Sequence, residues 1–232
     1  MESARDMPTI LITGANRGLG LTLATHYAQA GWSVIAACRK PQTAMALRAL
    51  PQVEVTSLDV AAARSIAALA RRLEGRSIDV VINNAGVLGR PEKAGRIDTV
   101  DFLATVNVNA LGPLLVARAL LPQLRRGHHK KIIAISSRMG SIATGIDEPG
   151  QYAYRCSKAA LNMAMATLAF DVGSDGITVA TYHPGWIKTD MGGPEAVLDV
   201  DASAAALIRS INRLKRSDSG GFFTWDGKSI PW

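Results

Sequence analysis

The chain has 232 residues, of which 48% are hydrophobic and 19% charged, and its formal net charge is +7. At this length we expect one domain, residues 1–232, with a substantial buried core. The basic residues are scattered without interleaved aromatics, which argues against a nucleic-acid partner and favours an anionic ligand such as a dinucleotide phosphate. A polar amino end and no long uninterrupted apolar run predict a cytoplasmic protein with no membrane partner.

Short apolar runs alternate with helical patterns along the chain. Each run is rich in Val, Ile or Thr and is bounded by Gly, Pro or polar residues. The predicted strands are 9–13, 33–38, 53–58, 79–83, 131–136, 178–182 and 221–225. The predicted helices are 18–31, 42–50, 61–74, 98–126, 152–172 and 201–215, the last with its amino cap at 201–203. This alternation predicts an α/β fold: a single Rossmann-type, doubly wound parallel sheet of about seven strands with helices on both faces.

A glycine-rich turn follows the first predicted strand and opens the first helix. Its glycines permit a tight turn, and they let a pyrophosphate approach the backbone N–H groups at a helix amino end. No Lys-Ser or Lys-Thr pair follows, so the turn is not a Walker loop. The alternative is a strand-to-helix turn that binds nothing. The predicted cofactor contacts here are Gly14, Asn16, Arg17, Gly18, Leu19 and Gly20.

The end of the second strand indicates which dinucleotide is bound. Sites for NAD place Asp or Glu about there to hold the ribose 2′-hydroxyl. This chain has Arg39 instead, whose planar guanidinium suits a 2′-phosphate. Arg17 can approach the same phosphate from the glycine turn. The pair therefore predicts NADP(H), although either arginine alone could be a solvated surface charge.

Two further strand ends carry predicted cofactor contacts. Asp59 can accept a hydrogen bond from the adenine amine, or it can cap the helix that follows, and both roles can hold together. Val60 is its neighbour. After the fourth strand, the Asn83, Ala85 and Gly86 positions are expected to let the cofactor ribose pack against backbone.

Tyr154 and Lys158 lie four residues apart within a predicted helix, and therefore on one helix face. A nearby ammonium group stabilises a phenolate, so we expect the pKa of Tyr154 to lie below its usual value of about 10. Such a tyrosine can act as a general acid near neutral pH.

Four motifs together resemble the short-chain dehydrogenase/reductase family. They are Thr13-Gly-x-x-x-Gly-x-Gly, Asn83-Asn-Ala-Gly, Tyr154-x-x-x-Lys158 and Pro184-Gly185-x-x-x-Thr189, and the match covers essentially the whole chain. The stretches beginning at Asn109 and Tyr152, and the closing residues 220–232, are similar to the subgroup of sniffer-type carbonyl reductases and C-factor-like proteins.

This resemblance implies a role for each matching residue. Tyr154 would protonate a substrate carbonyl oxygen as hydride arrives from the nicotinamide, and Lys158 would lower the tyrosine pKa and bind the nicotinamide ribose. Ser137 would hold the carbonyl oxygen, and Asn109 would hold a water in the proton relay. The predicted lining of the nicotinamide pocket is Pro184, Gly185, Ile187 and Thr189.

Two assignments have competitors. The family's usual spacing of about thirteen residues before the tyrosine favours Ser141 as the active serine, whereas the strand-end pattern Ile-Ser-Ser favours Ser137, which we take. His183 could pass for a catalytic base, but a wall position beside the pocket fits it better. Tyr152 has no lysine four residues later, so it is excluded as the catalytic tyrosine.

The expected substrate is a small hydrophobic carbonyl compound, namely a ketone, an aldehyde or a quinone. The expected apolar contacts are Val87, Leu88, Met139, Ile142, Tyr152, Trp186 and Met191. Helices 98–126 and 152–172 carry apolar residues around most of their circumference, which suggests a homodimer or a homotetramer. An NADPH-dependent carbonyl reductase is the leading hypothesis. The alternatives are an NADP-linked alcohol dehydrogenase and a dinucleotide-binding signalling or sensor protein without turnover.

Overall fold

The computed structural model describes residues 7–91, 94 and 96–232. Seven strands form one parallel sheet in the order β3-β2-β1-β4-β5-β6-β7. The strands are β1 Thr9–Thr13, β2 Ser33–Cys38, β3 Val53–Ser57, β4 Val80–Asn83, β5 Lys131–Ile135, β6 Thr178–His183 and β7 Phe222–Thr224. The predicted fold class is confirmed.

Eight α-helices connect and flank the strands within the described residues. They are α1 Gly18–Gln29, α2 Met45–Arg48, α3 Ala63–Arg72, α4 Thr99–Val106, α5 Gly112–Ala119, α6 Leu121–Arg126, α7 Tyr152–Asp171 and α8 Val200–Arg213. Short 3₁₀ turns lie at Pro41–Thr43, Arg138–Gly140, Gly173–Asp175 and Arg216–Asp218.

Both faces of the sheet are covered, because successive strand residues point to opposite sides. In β1, Leu11 belongs to a core that also contains residues of α3, α5 and α7, such as Val116 and Leu161. Its neighbours Ile10 and Ile12 pack instead with residues of α1 and α8. The order of strands reverses between β1 and β4, and loops that follow such a switch point diverge to leave a crevice for a ligand.

The long predicted helix 98–126 is not one regular α-helix. A π turn, Asn107–Leu111, joins α4 to α5, and a second break separates α5 from α6 near Leu120. Pro122 lies in the first turn of α6, where its missing N–H costs no intrahelical bond. A π turn frequently marks a functional position within a helix.

The predictions for the segment 42–50 and for the amino cap of the last helix also differ from the structure. The segment 42–50 forms a 3₁₀ turn followed by only one turn of α-helix. The amino cap of α8 is Asp199, whose carboxylate accepts hydrogen bonds from the N–H groups of Asp201 and Ala202. Asp201 instead contacts the ring Nε2 of His26, at 2.7 Å, and so ties α8 to α1.

The helical run Thr99–Ala119 is long and apolar enough, by length and composition, to cross a membrane, with 39% of its most apolar window buried. Asn107 and Asn109 interrupt the apolar sequence. Buried helices of soluble proteins meet the same criterion, and here α4 packs directly against α7. The absence of a membrane partner therefore stays a prediction.

Candidate active site

A cavity of about 1400 Å³ lies at the carboxyl ends of the strands. It collects all the predicted site residues except Asn83 and Asn109. Those that line it are Gly14, Asn16, Arg17, Gly18, Leu19, Gly20, Arg39, Asp59, Val60, Ala85, Gly86, Ser137, Tyr154, Lys158, Pro184, Gly185, Ile187 and Thr189. Residues that are far apart in the chain meet here because parallel strands present their carboxyl ends at one edge of the sheet.

Asn83 does not line the cavity, and Asn84 takes that place. The Asn83 side chain is buried and its amide atoms have no hydrogen-bond partner among the described residues. The Asn84 side-chain N–H group donates to the carbonyl oxygens of Thr13 and Gly14, at 2.9 and 3.2 Å. Neighbouring residues at a strand end diverge, so only one of the two asparagines can reach the glycine turn.

Asn109 lies in the π turn and is fully buried. Its amide oxygen accepts from the N–H of Val87, and its amide nitrogen donates to the Val87 carbonyl, both at 2.8 Å. The same nitrogen donates to the Ser157 hydroxyl at 3.0 Å. Both polar atoms are therefore engaged within the protein. The side chain ties the loop after β4 to the helix that carries Tyr154.

Three polar side chains meet in one wall of the cavity. Ser137 follows β5, and its hydroxyl lies near enough to the phenol of Tyr154, at the start of α7, to act on the pKa of that phenol. One turn further along α7, the ammonium group of Lys158 lies 5.6 Å from the centre of the Tyr154 ring. It donates to the Ile135 carbonyl at 2.8 Å. The hydroxyl of Ser137, the phenol of Tyr154 and the ammonium group of Lys158 therefore belong to neighbouring residues of the cavity wall.

The expected lowering of the tyrosine pKa is not found. Burial raises the pKa of Tyr154 above its usual range, and the hydrogen bond from Ser137 only partly opposes this rise. Burial also lowers the pKa of Lys158 to about 8, so the ammonium group is itself weakened by desolvation. Tyr154 consequently holds its proton at neutral pH.

Ser141, the competing serine, is occupied elsewhere. Its hydroxyl donates to the carbonyl of Pro231 at 2.7 Å and accepts from the N–H of Thr144 at 3.1 Å. It is 1% exposed and does not line the cavity. Ser141 therefore anchors residues 231–232 against the loop that follows β5, whereas Ser137 is the serine that contacts the tyrosine.

The glycine turn leaves the amino end of α1 open toward the cavity. No side chain caps α1, and its first turn contains no acidic residue. Gly14 has φ +63°, and a Cβ there would lie 2.8 Å from the Cα of Ala85, so a larger residue would push the turn away from the β4 loop. Free N–H groups and the positive end of a helix dipole suit a pyrophosphate.

Basic side chains gather at the same end of the cavity. Arg39 lines it as predicted, and Lys40 and Thr43, which were not foreseen, line it beside Arg39. Arg17 extends across the cleft, where its guanidinium contacts the Asp190 carboxylate at 3.3 Å. Both partners are exposed, so this ion pair is weak in water.

Asp59 does not cap α3, whose N-cap is Ala62 and has no side-chain hydrogen bond. Its carboxylate accepts from the N–H of Ala61 at 3.0 Å, while its own N–H donates to the Ser65 hydroxyl. It also lines the cavity. The carboxylate therefore holds the turn before α3, the helix-cap alternative is wrong, and the adenine contact stays a prediction.

The substrate end of the cavity is more polar than predicted. Five of the expected apolar contacts line it, namely Val87, Leu88, Met139, Trp186 and Met191, whereas Ile142 and Tyr152 do not. Four polar residues line it that no prediction included, namely Arg138, Asp147, Glu148 and Gln151, and His183 lines it at the wall position expected for it. Arg138, Asp147, Glu148 and Gln151 lie on the loop between β5 and α7.

Arg155 organises that loop and was missed. Its guanidinium is largely buried, donates to the carbonyls of Gly145 and Glu148, and lies 3.6 Å from the Asp147 carboxylate. Arg138 pairs with Asp147 from the other side, which holds the pKa of that carboxyl below its usual range. The sequence carries a pattern that could have indicated this: Arg138 and Arg155 flank the pair Asp147-Glu148 within 18 residues.

Among residues 7–91, 94 and 96–232, no group of three or more His, Cys, Asp or Glu side chains is placed to hold a metal ion.

The family model for short chain dehydrogenases matches residues 8–196. The chain belongs to this family. It is 46% identical over 155 residues to C-signal from Myxococcus xanthus, an alignment that covers 67% of this chain and 93% of that protein.

Two solved structures are very similar. The NADPH-bound carbonyl reductase from chicken fatty liver superimposes with a TM-score of 0.91 at 34% identity, over 97% of this chain and 99% of that one. The carbonyl reductase Sniffer of D. melanogaster superimposes with a TM-score of 0.90 at 32% identity, over 97% and 100% of the two chains. The predicted membership of the family and the likeness to sniffer-type reductases are confirmed.

Proposed function

We propose that this short-chain dehydrogenase is an NADP(H)-dependent carbonyl reductase. The observation that carries the proposal is the meeting of Ser137, Tyr154 and Lys158 in the wall of a cavity whose far end gathers Arg39 and Lys40. The bound NADPH in the chicken carbonyl reductase, whose fold this chain shares, supports the same cofactor here.

The reaction is the two-electron reduction of a carbonyl group to an alcohol. When bound, the reduced nicotinamide supplies a hydride to the carbonyl carbon. Tyr154 gives its proton to the carbonyl oxygen, and Ser137 donates a hydrogen bond to that oxygen as negative charge develops. Lys158 would hold the ribose, and its positive charge would stabilise the phenolate that forms when Tyr154 gives up its proton. The raised pKa keeps Tyr154 protonated at neutral pH, which is the form that carbonyl reduction needs.

The test of the chemistry is Tyr154→Phe, which removes the phenol hydroxyl and keeps the ring. We expect kcat for NADPH-dependent reduction of aryl ketones to fall by about 10²-fold to 10⁴-fold, with the Kd for NADPH within about twofold. Tyr152→Phe is the matched control, since Tyr152 lies on the same helix turn and does not line the cavity. Equal loss in both variants, or no loss in either, would contradict the assignment.

The cofactor preference rests on the positive charge at the end of β2. Arg39 lines the cavity and no acidic residue follows that strand to hold a ribose 2′-hydroxyl. Arg39→Ala is expected to lower the NADPH/NADH ratio of kcat/KM by at least about tenfold, the usual scale for a charge-assisted hydrogen bond. Arg48→Ala is the control, because Arg48 is exposed nearby and lies outside the cavity. An unchanged ratio in Arg39→Ala would refute the preference.

Asn109 is best proposed as a positioning residue, because its amide is engaged with Val87 and Ser157. The water contact implied by the family resemblance stays a prediction. A solvent isotope effect that changes in Asn109→Ala, at unchanged NADPH affinity, would support a place in the proton path.

A signalling function is the second candidate, and the similarity to C-signal favours it. A signalling protein without turnover has no use for the proton held on Tyr154. Biological activity that survives Tyr154→Phe would therefore favour signalling, whereas activity lost together with turnover would favour the reductase.

A homodimer is the assembly proposed for the chain. Large apolar side chains are exposed on two adjacent helices: Val100 and Leu103 on α4, and Met163 and Phe170 on α7, the last of them 90% exposed. A second copy presenting the same two helices would cover them. Phe170→Glu is expected to shift the mass measured by light scattering from dimer to monomer. A wild-type chain that is monomeric at micromolar concentration would refute the proposal.

A further inference from the structure

Six buried side-chain nitrogen or oxygen atoms have no hydrogen-bond partner within the described residues. They belong to five residues: Tyr27, Asn83, Gln123, Gln151 and His183. Only Gln151 and His183 among these line the cavity. Buried polar atoms are paired in the great majority of cases, so an unpaired one beside a cavity points to a partner that the ligand supplies.

Gln151 is held in place by unusual backbone geometry. It has φ +58° and ψ +35°, a left-handed conformation that non-glycine residues seldom adopt, and α7 begins at the next residue. Such conformations cluster where the surrounding structure enforces them for function. Arg155 supplies that enforcement, because its Nε donates to the carbonyl of Gly150 at 3.1 Å. The amide of Gln151 is thereby fixed three residues before Tyr154.

His183 occupies the next strand end. The N–H of Ser136 donates to the carbonyl of Tyr182, so His183 lies beside the strand end that carries Ser137. Its ring meets Trp225 edge to face, with centroids 5.9 Å apart. Burial, and then the charge of Arg138, lower the pKa of His183 to about 4, so the imidazole is neutral at pH 7. The unpaired ring atom is Nδ1, which accepts a hydrogen bond in the tautomer that carries the proton on Nε2.

We propose that Gln151 and His183 are specificity-determining residues that accept hydrogen bonds from an O–H or N–H group of the substrate. The inference rests on the proposed carbonyl reductase function and names its substrate class. The substrate is a carbonyl compound with an apolar body and a hydrogen-bond donor. Leu88, Trp186 and Met191 line the same cavity and contact the apolar body.

Three aryl methyl ketones test this, carrying hydroxymethyl, methoxy or ethyl at the same ring position. The substituents have equal numbers of heavy atoms, but only hydroxymethyl can donate a hydrogen bond. We expect kcat/KM of the wild-type protein with NADPH to be about tenfold higher for hydroxymethyl than for the other two. Gln151→Met and His183→Phe should each reduce this preference to about threefold or less. The change should appear as a rise in KM for the hydroxymethyl ketone.

Ile146→Ala is the matched control, since Ile146 lies on the same loop, is exposed and does not line the cavity. It should keep the full preference. Gln151→Glu is a second variant in case Gln151→Met unfolds. Its carboxylate only accepts hydrogen bonds, so it should preserve or increase the preference for hydroxymethyl. Equal kcat/KM for the three ketones in the wild type, or a preference that survives both Gln151→Met and His183→Phe, would overturn the inference.

Binding separates this inference from the proposed function. Calorimetry with the NADP⁺ complex measures the Kd of each ketone without turnover. Tighter binding of the hydroxymethyl ketone by about tenfold, with no turnover under NADPH, would support the specificity and refute the reductase. Turnover with equal Kd values would support the reductase and refute the specificity.

Discussion

The two serines after β5 permit a prediction with opposite outcomes at neighbouring positions. Ser141→Ala removes a hydroxyl that donates to the Pro231 carbonyl and accepts from the Thr144 N–H. Both groups would then lack that partner at a partly buried site, at a cost of about 1 kcal/mol each, or about 2 kcal/mol in the free energy of unfolding. For a chain of this size that is a fall in Tm of about 4–8 °C. We expect kcat of the folded variant to stay within about threefold of wild type.

Ser137→Ala should behave in the opposite way. Its hydroxyl lies near the Tyr154 phenol and accepts from the N–H of Met139 at 3.2 Å, so loss of that turn cap costs only about 1 kcal/mol. Loss of a donor to the developing oxyanion should reduce kcat by about 10²-fold to 10³-fold. Thermal melts and NADPH oxidation at saturating cofactor measure both effects on the same samples. A Ser141→Ala protein that folds normally but loses 10²-fold in kcat, beside an active Ser137→Ala protein, would refute the assignment.

Three further predictions concern the cofactor cleft and the buried lysine. A Cβ in Gly20→Ala would lie 2.4 Å from the Gly14 carbonyl oxygen. This clash should weaken NADPH binding by at least about tenfold, measured by titration, and lower the Tm, measured by calorimetry. Asp190→Asn frees the Arg17 guanidinium from an exposed ion pair. The Kd for NADPH should therefore fall by about twofold to fivefold, with no measurable change in Tm. A higher Kd would contradict this. The pKa of Lys158 falls from 10.5 to about 8 on folding. Between about pH 8 and pH 10.5 the unfolded chain therefore holds more of this proton than the folded chain does. The free energy of unfolding consequently rises with pH across this range. Urea titrations should therefore show that the free energy of unfolding of the wild type rises by about 2 kcal/mol relative to that of Lys158→Met between pH 7 and roughly pH 9.5. The same pH dependence of this free energy in both proteins would contradict the prediction.

Much of the fold follows from local patterns. The bounds of β1 and β2 agree residue for residue with the predicted strands, because Val, Ile and Thr runs between Gly and polar residues have no competing helical period. The glycine turn is equally local, since a strand, a tight turn and a helix amino end are consecutive in the chain. Helix ends were less predictable: the π turn Asn107–Leu111 follows no propensity rule and depends on packing around Asn109.

The candidate site, like the fold, has features that the sequence predicts and features that depend on tertiary packing. Residue types and spacing determined by themselves that a glycine turn, a basic strand end and a Tyr-x-x-x-Lys pair would lie along one sheet edge. Only the tertiary structure decided that Asn84 rather than Asn83 faces the cavity, that Ser141 is bonded to residues 231–232, and that burial raises the pKa of Tyr154. Each of these depends on groups that are distant in sequence and on how much water remains between them. Spacing along a chain determines which residues share a helix face, but desolvation and hydrogen-bond partners exist only once the chain has packed.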